Sequence, residues 1–158
     1  SIFQLILHDN SSKERSMIYI GSDHGGYLIK EHLKHYLASK NIEVEDCGNH
    51  SEASVDYPDY AHKVADLVSK DEKNIGILVC GSGNGVNITA NKHQGIRSAL
   101  CWTPEIASLA KQHNNANIIA IPGRFVTILE AEKIADAFLC AIFEAGRHQV
   151  RINKIEHE

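Results

Sequence analysis

Residues 77–92 read ILVCGSGNGVNITANK, an apolar run that leads through a loop with three glycines into a segment typical of a short helix near residues 86–92. The apolar run begins at Ile75 and continues to Cys80 without a charged or hydroxyl-bearing residue. Such a run is expected of a central parallel strand that is buried on both faces. The stretch therefore predicts a strand–loop–helix unit of an α/β protein.

Strand and helix patterns alternate on both sides of this unit. Helices are predicted between the strands, with Pro58 and Pro104 in first turns, and a last long helix from Thr127 to about residue 144. The spacing of apolar residues predicts that Leu28 lies on the buried face of the first helix, and that Leu129 and Ile142 lie on the buried face of the last helix. The predicted strands are MIYIGS (17–22), IEVEDC (42–47), IGILVC (75–80), IRSALC (96–101) and NIIAIP (117–122). This alternation predicts a three-layer sandwich, in which a five-stranded parallel sheet has helices on both faces.

Composition and charge exclude several classes of protein. With 43% hydrophobic and 23% charged residues in a chain of 158, we expect a globular domain with a sizeable core. A net charge of −4 argues against a nucleic-acid-binding protein, and no apolar run approaches the roughly 18 residues of a membrane span. Cys47, Cys80, Cys101 and Cys140 are too scattered for a disulfide scaffold or a structural zinc site, so we expect free thiols in a reducing cytoplasm and no metal.

The first sixteen residues, SIFQLILHDNSSKERS, differ in character from the rest of the chain. The single methionine is Met17, and the first strand pattern begins there. We interpret residues 1–16 as a remnant of cloning or an upstream extension, with an added edge strand as the alternative. Residues 17–158 are predicted to form one domain.

Open parallel sheets bind ligands beyond the carboxyl ends of their strands. Polar residues gather in two loops predicted at those ends, SDHGG (22–26) and CGSGNG (80–85). Glycines allow successive backbone N–H groups to converge on negative charge. The second loop lacks the Gly-Lys-Ser/Thr of a P-loop and does not match the dinucleotide pattern GxGxxG. Alone, it indicates either a structural turn or a general anion site.

Cys80 supplies this loop with a reactive group. Beside clustered N–H groups and a helix N-terminus, a thiol is expected to lose its proton more readily, and a thiolate can act as a nucleophile or a base. The alternative is a small buried apolar residue that ends a strand, which is our interpretation of the other three cysteines. A cysteine phosphatase is excluded, because the arginine that it needs six residues after the thiol is Val86.

Other titratable residues allow two interpretations each. Asp23 and His24 can orient a substrate and transfer protons, or Asp23 can simply cap the next helix. His113 lies near a predicted helix end, where a lone histidine is often a surface residue. Arg147 and Arg151 are four residues apart and share a helical face, which suits a phosphate but also suits a solvated surface.

Five motifs occur together in a recognisable order: GSDHGG, DYPDYA, ILVCGSGNGVNITANK, HNNANI and GRHQVR. In order and spacing they resemble the type B ribose-5-phosphate isomerases, a family that includes the galactose-6-phosphate isomerase subunits. The resemblance extends from Met17 to about residue 152. It implies a Rossmann-like fold and an aldose–ketose isomerase of the non-oxidative pentose phosphate pathway, without metal or nucleotide cofactor. It also implies homodimers, often paired into tetramers, with active sites between two subunits.

The same resemblance implies a role for each residue of the site. Cys80 would move the proton between C1 and C2 of the sugar phosphate, and Ser82 would shuttle the hydroxyl proton. Asp23 and His113 would open the sugar ring, with His113 coming from the partner subunit. The residues implied to bind the substrate are His24, Arg147 and Arg151 at the phosphate, Arg124 reaching it across the interface, Gly81, Gly83, Asn84 and Gly85 at the enediolate, Tyr57 at the sugar, and Asn114 of the partner.

Two alternatives stay open at the level of sequence. One branch of the family uses a glutamate base at the position of Val86, so Cys80 places this chain with the thiol-base branch. Within the enzyme class, the alternative is an isomerase of a six-carbon sugar phosphate, such as galactose 6-phosphate or allose 6-phosphate, and the choice depends on pocket depth, which the sequence does not give. A non-catalytic sugar-phosphate sensor could use the same sheet, but it would not need a thiol in the glycine loop.

Overall fold

Five parallel strands form one sheet in a computed structural model that describes residues 16–157, with the strand order β2-β1-β3-β5-β4. The strands are β1 Ile18–Ser22, β2 Val44–Asp46, β3 Ile75–Cys80, β4 Ser98–Leu100 and β5 Ile118–Pro122. The helices of this part of the chain are α1 Tyr27–Ser39, α2 Tyr57–Val68, α3 Asn84–Ala90, α4 Pro104–Asn114, α5 Ile128–Cys140 and α6 Arg147–Ile152. The predicted parallel sheet is confirmed. Apart from Ser16, the predicted extension at residues 1–16 lies outside the described residues.

The side chains of the central strands alternate between two cores, one on each face of the sheet. The first core packs against α1, α4 and α5, and its strand residues are Ile18, Ile20, Ile77, Val79, Ile119 and Ile121. The second core packs against α2 and α3, and its strand residues are Tyr19, Leu78, Cys80, Ile118 and Ala120. Helices therefore cover both faces, as predicted from the uninterrupted apolar strands. Among the described helices, none combines the length and apolarity that a membrane span requires.

Glycines on the two central strands set the distance between the sheet and α2. A Cβ atom on Gly21 would lie 2.9 Å from a methyl of Val64, and one on Gly76 would lie 2.8 Å from the other methyl of that residue. Real Cβ atoms do not approach so closely, so α2 could not pack at this depth against larger residues. The glycine inside IGILVC is therefore a packing requirement.

Three predicted core positions are wrong. Leu28, Leu129 and Ile142 are 64%, 57% and 73% exposed. Ile142 lies beyond the end of the last long helix, which stops at Cys140 instead of near residue 144. On α1, the position that faces inward next to Ile29 is a lysine, Lys30, which is fully buried.

The buried Lys30 is neutralised by carboxylates of neighbouring elements. Its Nζ lies 2.7 Å from Oδ2 of Asp46 on β2 and 2.9 Å from Oε1 of Glu31. Nζ of Lys34 approaches the same Asp46 oxygen at 2.7 Å. Burial by itself raises the pKa of Asp46, but the hydrogen bonds from the two lysines bring this pKa below its ordinary value. The network joins α1 to the edge strand of the sheet.

Replacing Asp46 with asparagine is expected to lower the free energy of unfolding by about 1–3 kcal/mol at pH 7, because buried Lys30 loses a charged acceptor. Since the folded-state pKa is lowered, Asp46 stabilises the fold fully above its unfolded-state pKa of about 3.9 and less as pH falls toward the folded-state value. Urea unfolding should therefore show the gap to wild type narrowing below about pH 4. Glu45→Gln, which changes an exposed carboxylate of the same strand, is the matched control. Equal stability of the two variants would contradict the role of Asp46.

Candidate active site

Two loops are hydrogen-bonded to each other where β3 and β5 end. The N–H of Gly123 donates to the carbonyl of Cys80 at 2.8 Å, and the N–H of Arg124 donates to the carbonyl of Gly81 at 3.0 Å. A Cβ atom on Gly81 would lie 3.2 Å from Nη1 of Arg124, so the guanidinium group lies over the glycine loop of its own chain. The structure thus places Arg124 beside the glycine loop of its own chain, whereas the sequence interpretation had it reach the site across a subunit interface.

The glycine loop, residues 81–85, presents unpaired backbone donors. Gly83 has a φ of 76°, in the left-handed region that glycine adopts readily, and this turns the chain into α3. The N–H of Asn84 donates to Oγ of Ser82 at 3.2 Å. In the described part of the chain, the N–H groups of Gly81, Ser82 and Gly83 donate to no protein acceptor. Successive free donors of this kind favour a negatively charged oxygen.

Cys80 ends β3 directly before this loop and is 4% exposed, with its side chain in the core beneath α2 and α3. Its thiol is therefore largely shielded from bulk water. The other three cysteines are kept as neutral thiols. Burial raises the pKa of Cys47 to about 11 and that of Cys101 to about 12, and burial also raises the pKa of Cys140.

The loop after β1 brings two titratable residues to the same edge of the sheet. Asp23 is 9% exposed, and its Oδ1 accepts the N–H of Gly26 at 3.1 Å, which is the local turn contact weighed as its alternative role. Nδ1 of His24 accepts the N–H of Val55 at 3.2 Å. A ring nitrogen that accepts carries no proton, so the proton of this imidazole is on Nε2, which can donate to a ligand.

Tyr57 forms a wall beside the glycine loop. It is the first residue of α2, and a Cβ atom on Gly85 would lie 2.6 Å from Cζ of its ring. The ring is 41% exposed, so one side of it packs against the loop while another side faces solvent. Any residue larger than glycine at position 85 would displace this wall.

His113 and Asn114 lie at the opposite, amino edge of the sheet. They end α4, and the side chain of Arg97, which directly precedes β4, donates to the carbonyl of Asn114 at 3.0 Å. The full length of β5 separates this edge from the glycine loop. At roughly 3.3 Å per residue, this length is about 13 Å. Within one chain, these two residues are not brought to Cys80.

Arg147 and Arg151 also lie at the amino edge. Both are exposed on α6, and the segment before this helix is held to the end of α4 by the N–H of Glu144, which donates to the carbonyl of Gln112 at 3.0 Å. Within one chain, the structure groups these arginines with His113, and groups His24 with Arg124.

Comparisons with known proteins agree with this architecture. The sequence profile of the ribose/galactose isomerases matches residues 18–155. The chain belongs to this family. It is 49% identical over 140 residues to a probable ribose-5-phosphate isomerase B of Mycoplasma genitalium, which covers 87% of this chain and 92% of that protein, and 43% identical over 138 residues to ribose-5-phosphate isomerase B of Escherichia coli, which covers 87% and 93%.

Solved structures of family members have the same fold. A ribose 5-phosphate isomerase from Thermotoga maritima superposes with a TM-score of 0.86 at 51% identity, over 90% of this chain and 98% of that one. The Mycoplasma genitalium enzyme, solved with bound ribulose 5-phosphate, superposes with a TM-score of 0.84 at 48% identity, over 87% and 92% of the two chains. The family's Rossmann-like α/β fold is thus shown for this chain.

Three contacts of the family motifs could not be predicted from the sequence. The N–H of Val55 sets the tautomer of His24 from 31 residues away. Glu144 and His148 lie against His113, although His148 stood out in the sequence only as a residue between two arginines. No linear signal points to these contacts, because each one depends on how separate elements pack.

Proposed function

We infer that the protein interconverts ribose 5-phosphate and ribulose 5-phosphate. The observation that carries this conclusion is the position of Cys80, which ends the central strand directly before three unpaired N–H groups, in a member of an isomerase family. A base beside oxyanion donors is what an enediolate reaction requires. Relatives of similar length carry the same activity in their names.

Cys80 acts as the base in this proposal. Its thiolate takes the proton from C2 of the aldose, the electrons of that bond form the C1–C2 double bond of an enediolate, and the proton returns to C1 to give the ketose. The hydroxyl proton passes from O2 to O1, with Ser82 as the shuttle. The free N–H groups stabilise the negative oxygen, and one such donor typically contributes about 3–4 kcal/mol. Only protons move, so the overall reaction needs no oxidant or reductant.

The two edges of the sheet complete one site only if two copies of the chain associate. We propose a homodimer in which His113, Asn114, Arg147 and Arg151 of one copy face the glycine loop of the other. Exposed apolar side chains beyond the carboxyl edge support such an association, since patches of this kind mark protein interfaces. The rings of Trp102 and Phe125 are 5.4 Å apart, and the exposed apolar residues near them in the fold are Ile106, Ile128 and Leu129.

The remaining residues bind and open the sugar. His24 through Nε2 and Arg124 approach the phosphate from the chain that supplies Cys80, while Arg147 and Arg151 approach it from the partner copy. Asp23 and His113 assist opening of the furanose ring. The residues proposed to line the sugar are Tyr57, Asn84, Gly85 and Asn114. An anchored phosphate supplies remote binding energy that positions C1 and C2 at the thiolate.

Replacing Arg151 with alanine is expected to raise KM for ribose 5-phosphate roughly 10- to 100-fold with a smaller loss of kcat, because a hydrogen bond to a charged group contributes about 1.5–3 kcal/mol. Steady-state kinetics measure both constants. Lys154→Ala removes an exposed cation three residues further on and is the matched control. Kinetics of the Arg151 variant that match this control would remove Arg151 from the phosphate site.

A coupled isomerase assay with five- and six-carbon sugar phosphates side by side tests the proposed function. We expect kcat/KM to be highest with ribose 5-phosphate and lower with allose 6-phosphate and galactose 6-phosphate. A higher value with a six-carbon substrate would reassign the activity within the family. Absence of turnover with every substrate, together with retained binding, would indicate a sensor.

We propose that the enzyme works in the cytoplasm. All four cysteines are unpaired, as expected in a reducing compartment. A thiol base must also stay reduced to accept a proton. In an oxidising compartment, oxidation of Cys80 would inactivate the enzyme.

A further inference from the structure

His113, Glu144 and His148 form a three-residue cluster at the amino edge of the sheet. Their ligand atoms all lie within 4.8 Å of one another. Oε1 of Glu144 is 3.7 Å from Nε2 of His113 and 3.8 Å from Nε2 of His148, which is too long for hydrogen bonds. Ligand atoms of a tetrahedral zinc ion, each about 2.0–2.1 Å from the metal, are about 3.4 Å apart. The distances from the Glu144 oxygen to the two histidine nitrogens are thus within a few tenths of an ångström of those between ligands of a bound zinc ion.

His148 carries an unsatisfied polar atom that points into this cluster. The residue is 7% exposed, and its Nε2 is buried without a hydrogen-bond partner in the described part of the chain. A buried polar atom without a hydrogen-bond partner is unfavourable, so a ligand that binds it is favoured. Burial lowers the pKa of His148, and the charges of His113 and Arg147 lower it further.

The two imidazole rings differ in how freely they can turn. They are stacked, with centroids 4.3 Å apart and planes at 10° to each other. A metal ion lies in the plane of each imidazole that binds it, so one ring must tilt away from the stack. The side chain of His113 is 39% exposed at the end of α4, and that of Glu144 is 48% exposed between α5 and α6. These two can adjust around the buried His148.

We propose that this cluster binds Zn²⁺ or a similar divalent transition-metal ion through Nε2 of His113, a carboxylate oxygen of Glu144 and Nε2 of His148. Two nitrogens and one oxygen form a donor set that suits borderline ions and not Mg²⁺ or Ca²⁺. The bound ion inhibits the isomerase, because it holds His113 away from the sugar; this second part rests on the ring-opening role proposed above. The spacing of cysteines and histidines along the sequence predicted no metal site, because the proposed ligands come from two separate segments of the chain.

A zinc titration of the chelator-treated, full-length protein against a chromophoric chelator tests the site. We expect His148→Gln and Glu144→Gln each to weaken Zn²⁺ binding at least about 10- to 100-fold, the loss that even an outer-shell partner causes. His93→Gln is the control, because His93 lies in a different histidine pair, with Nε2 2.6 Å from Nδ1 of His62. Glu144 is exposed, so its variant stays informative if the buried His148 variant unfolds. Wild-type affinity in Glu144→Gln, or loss of binding in His93→Gln, would overturn the proposal.

Substitution of Co²⁺ distinguishes histidine from cysteine ligands. We expect a visible spectrum without a thiolate-to-cobalt charge-transfer band, and appearance of that band would transfer the site to a cysteine and overturn the assignment. In the isomerase assay, Zn²⁺ should abolish turnover of the wild type, EDTA should restore it, and Glu144→Gln should resist inhibition. Full turnover by zinc-loaded wild type would overturn the proposed inhibition but not the proposed metal binding. Inactivity of the metal-free wild type would instead overturn the proposed function, so the two failures are distinguishable.

Discussion

Replacing Cys80 with alanine is expected to lower kcat at least about 10²- to 10⁴-fold, the contribution typical of a positioned general base. The affinity for ribose 5-phosphate should stay close to wild type, because alanine leaves the residues proposed to bind the phosphate and the backbone N–H groups of the glycine loop in place. Steady-state kinetics in both directions measure the first effect, and calorimetric titration measures the second. Exchange of the substrate's C2 hydrogen with deuterated solvent should fall in parallel, since that exchange reports the base directly.

Cys101→Ala is the matched control for this variant. Cys101 follows β4, is fully buried, and has a pKa raised to about 12, so it holds its proton at neutral pH. We expect this variant to keep the wild-type kcat and to lose stability only. If Cys80→Ala retained the turnover of this control, the thiol could not be the base. A large loss of ribose 5-phosphate affinity in the Cys80 variant would instead assign the side chain to binding.

Purified mixed dimers of Cys80→Ala and His113→Ala chains are expected to recover about one half of the wild-type activity per dimer, although each variant alone is nearly inactive. In each mixed dimer, one of the two symmetric sites has both wild-type residues and the other has neither. The prediction follows from the roughly 13 Å of sheet that separates the two residues in one chain. Co-expression with two affinity tags, followed by assay of the doubly purified dimer, gives the measurement without the inactive homodimers.

Cys80→Ala paired with Arg124→Ala provides the control for the mixed dimer. Arg124 lies over the glycine loop of its own chain, so no site in this mixed dimer contains both wild-type side chains. We expect activity no higher than that of the Arg124 variant alone. Recovery in this pair would return Arg124 to the partner's site. No recovery in the Cys80 and His113 pair would mean that the two edges do not share a site.

Local patterns in the sequence were sufficient for most of the fold. The apolar run IGILVC is the buried central strand, and Pro104 lies in the first turn of α4 as predicted, directly after Thr103, which caps the helix by accepting the N–H of Ile106 at 3.2 Å. The failures concern helix faces and ends. Ile142 continues an apolar period past the last residue of α5, and a period alone does not tell where a helix stops.

The residues of the candidate site also divide into those that local sequence patterns predicted and those whose positions depend on packing. Asp23, Cys80 and the glycine loop were predicted from the sequence because each lies at or directly after the end of a strand, and parallel strands end at a common edge. The sequence could not predict at which edge of the sheet each arginine lies, since nothing in the residues around Arg124 and Arg151 distinguishes one cation from the other. Only the packed structure separates them to opposite edges of the sheet.

By itself, the sequence determined the order of strands and helices, the parallel sheet and the loop that holds the thiol, because these depend on residues that are neighbours along the chain. The tertiary structure alone decided that His113 and Cys80 lie at opposite edges of the sheet, and that His113, Glu144 and His148 meet. The reason is physical: such contacts depend on where whole elements end and on which face they pack, and residue spacing does not encode either quantity.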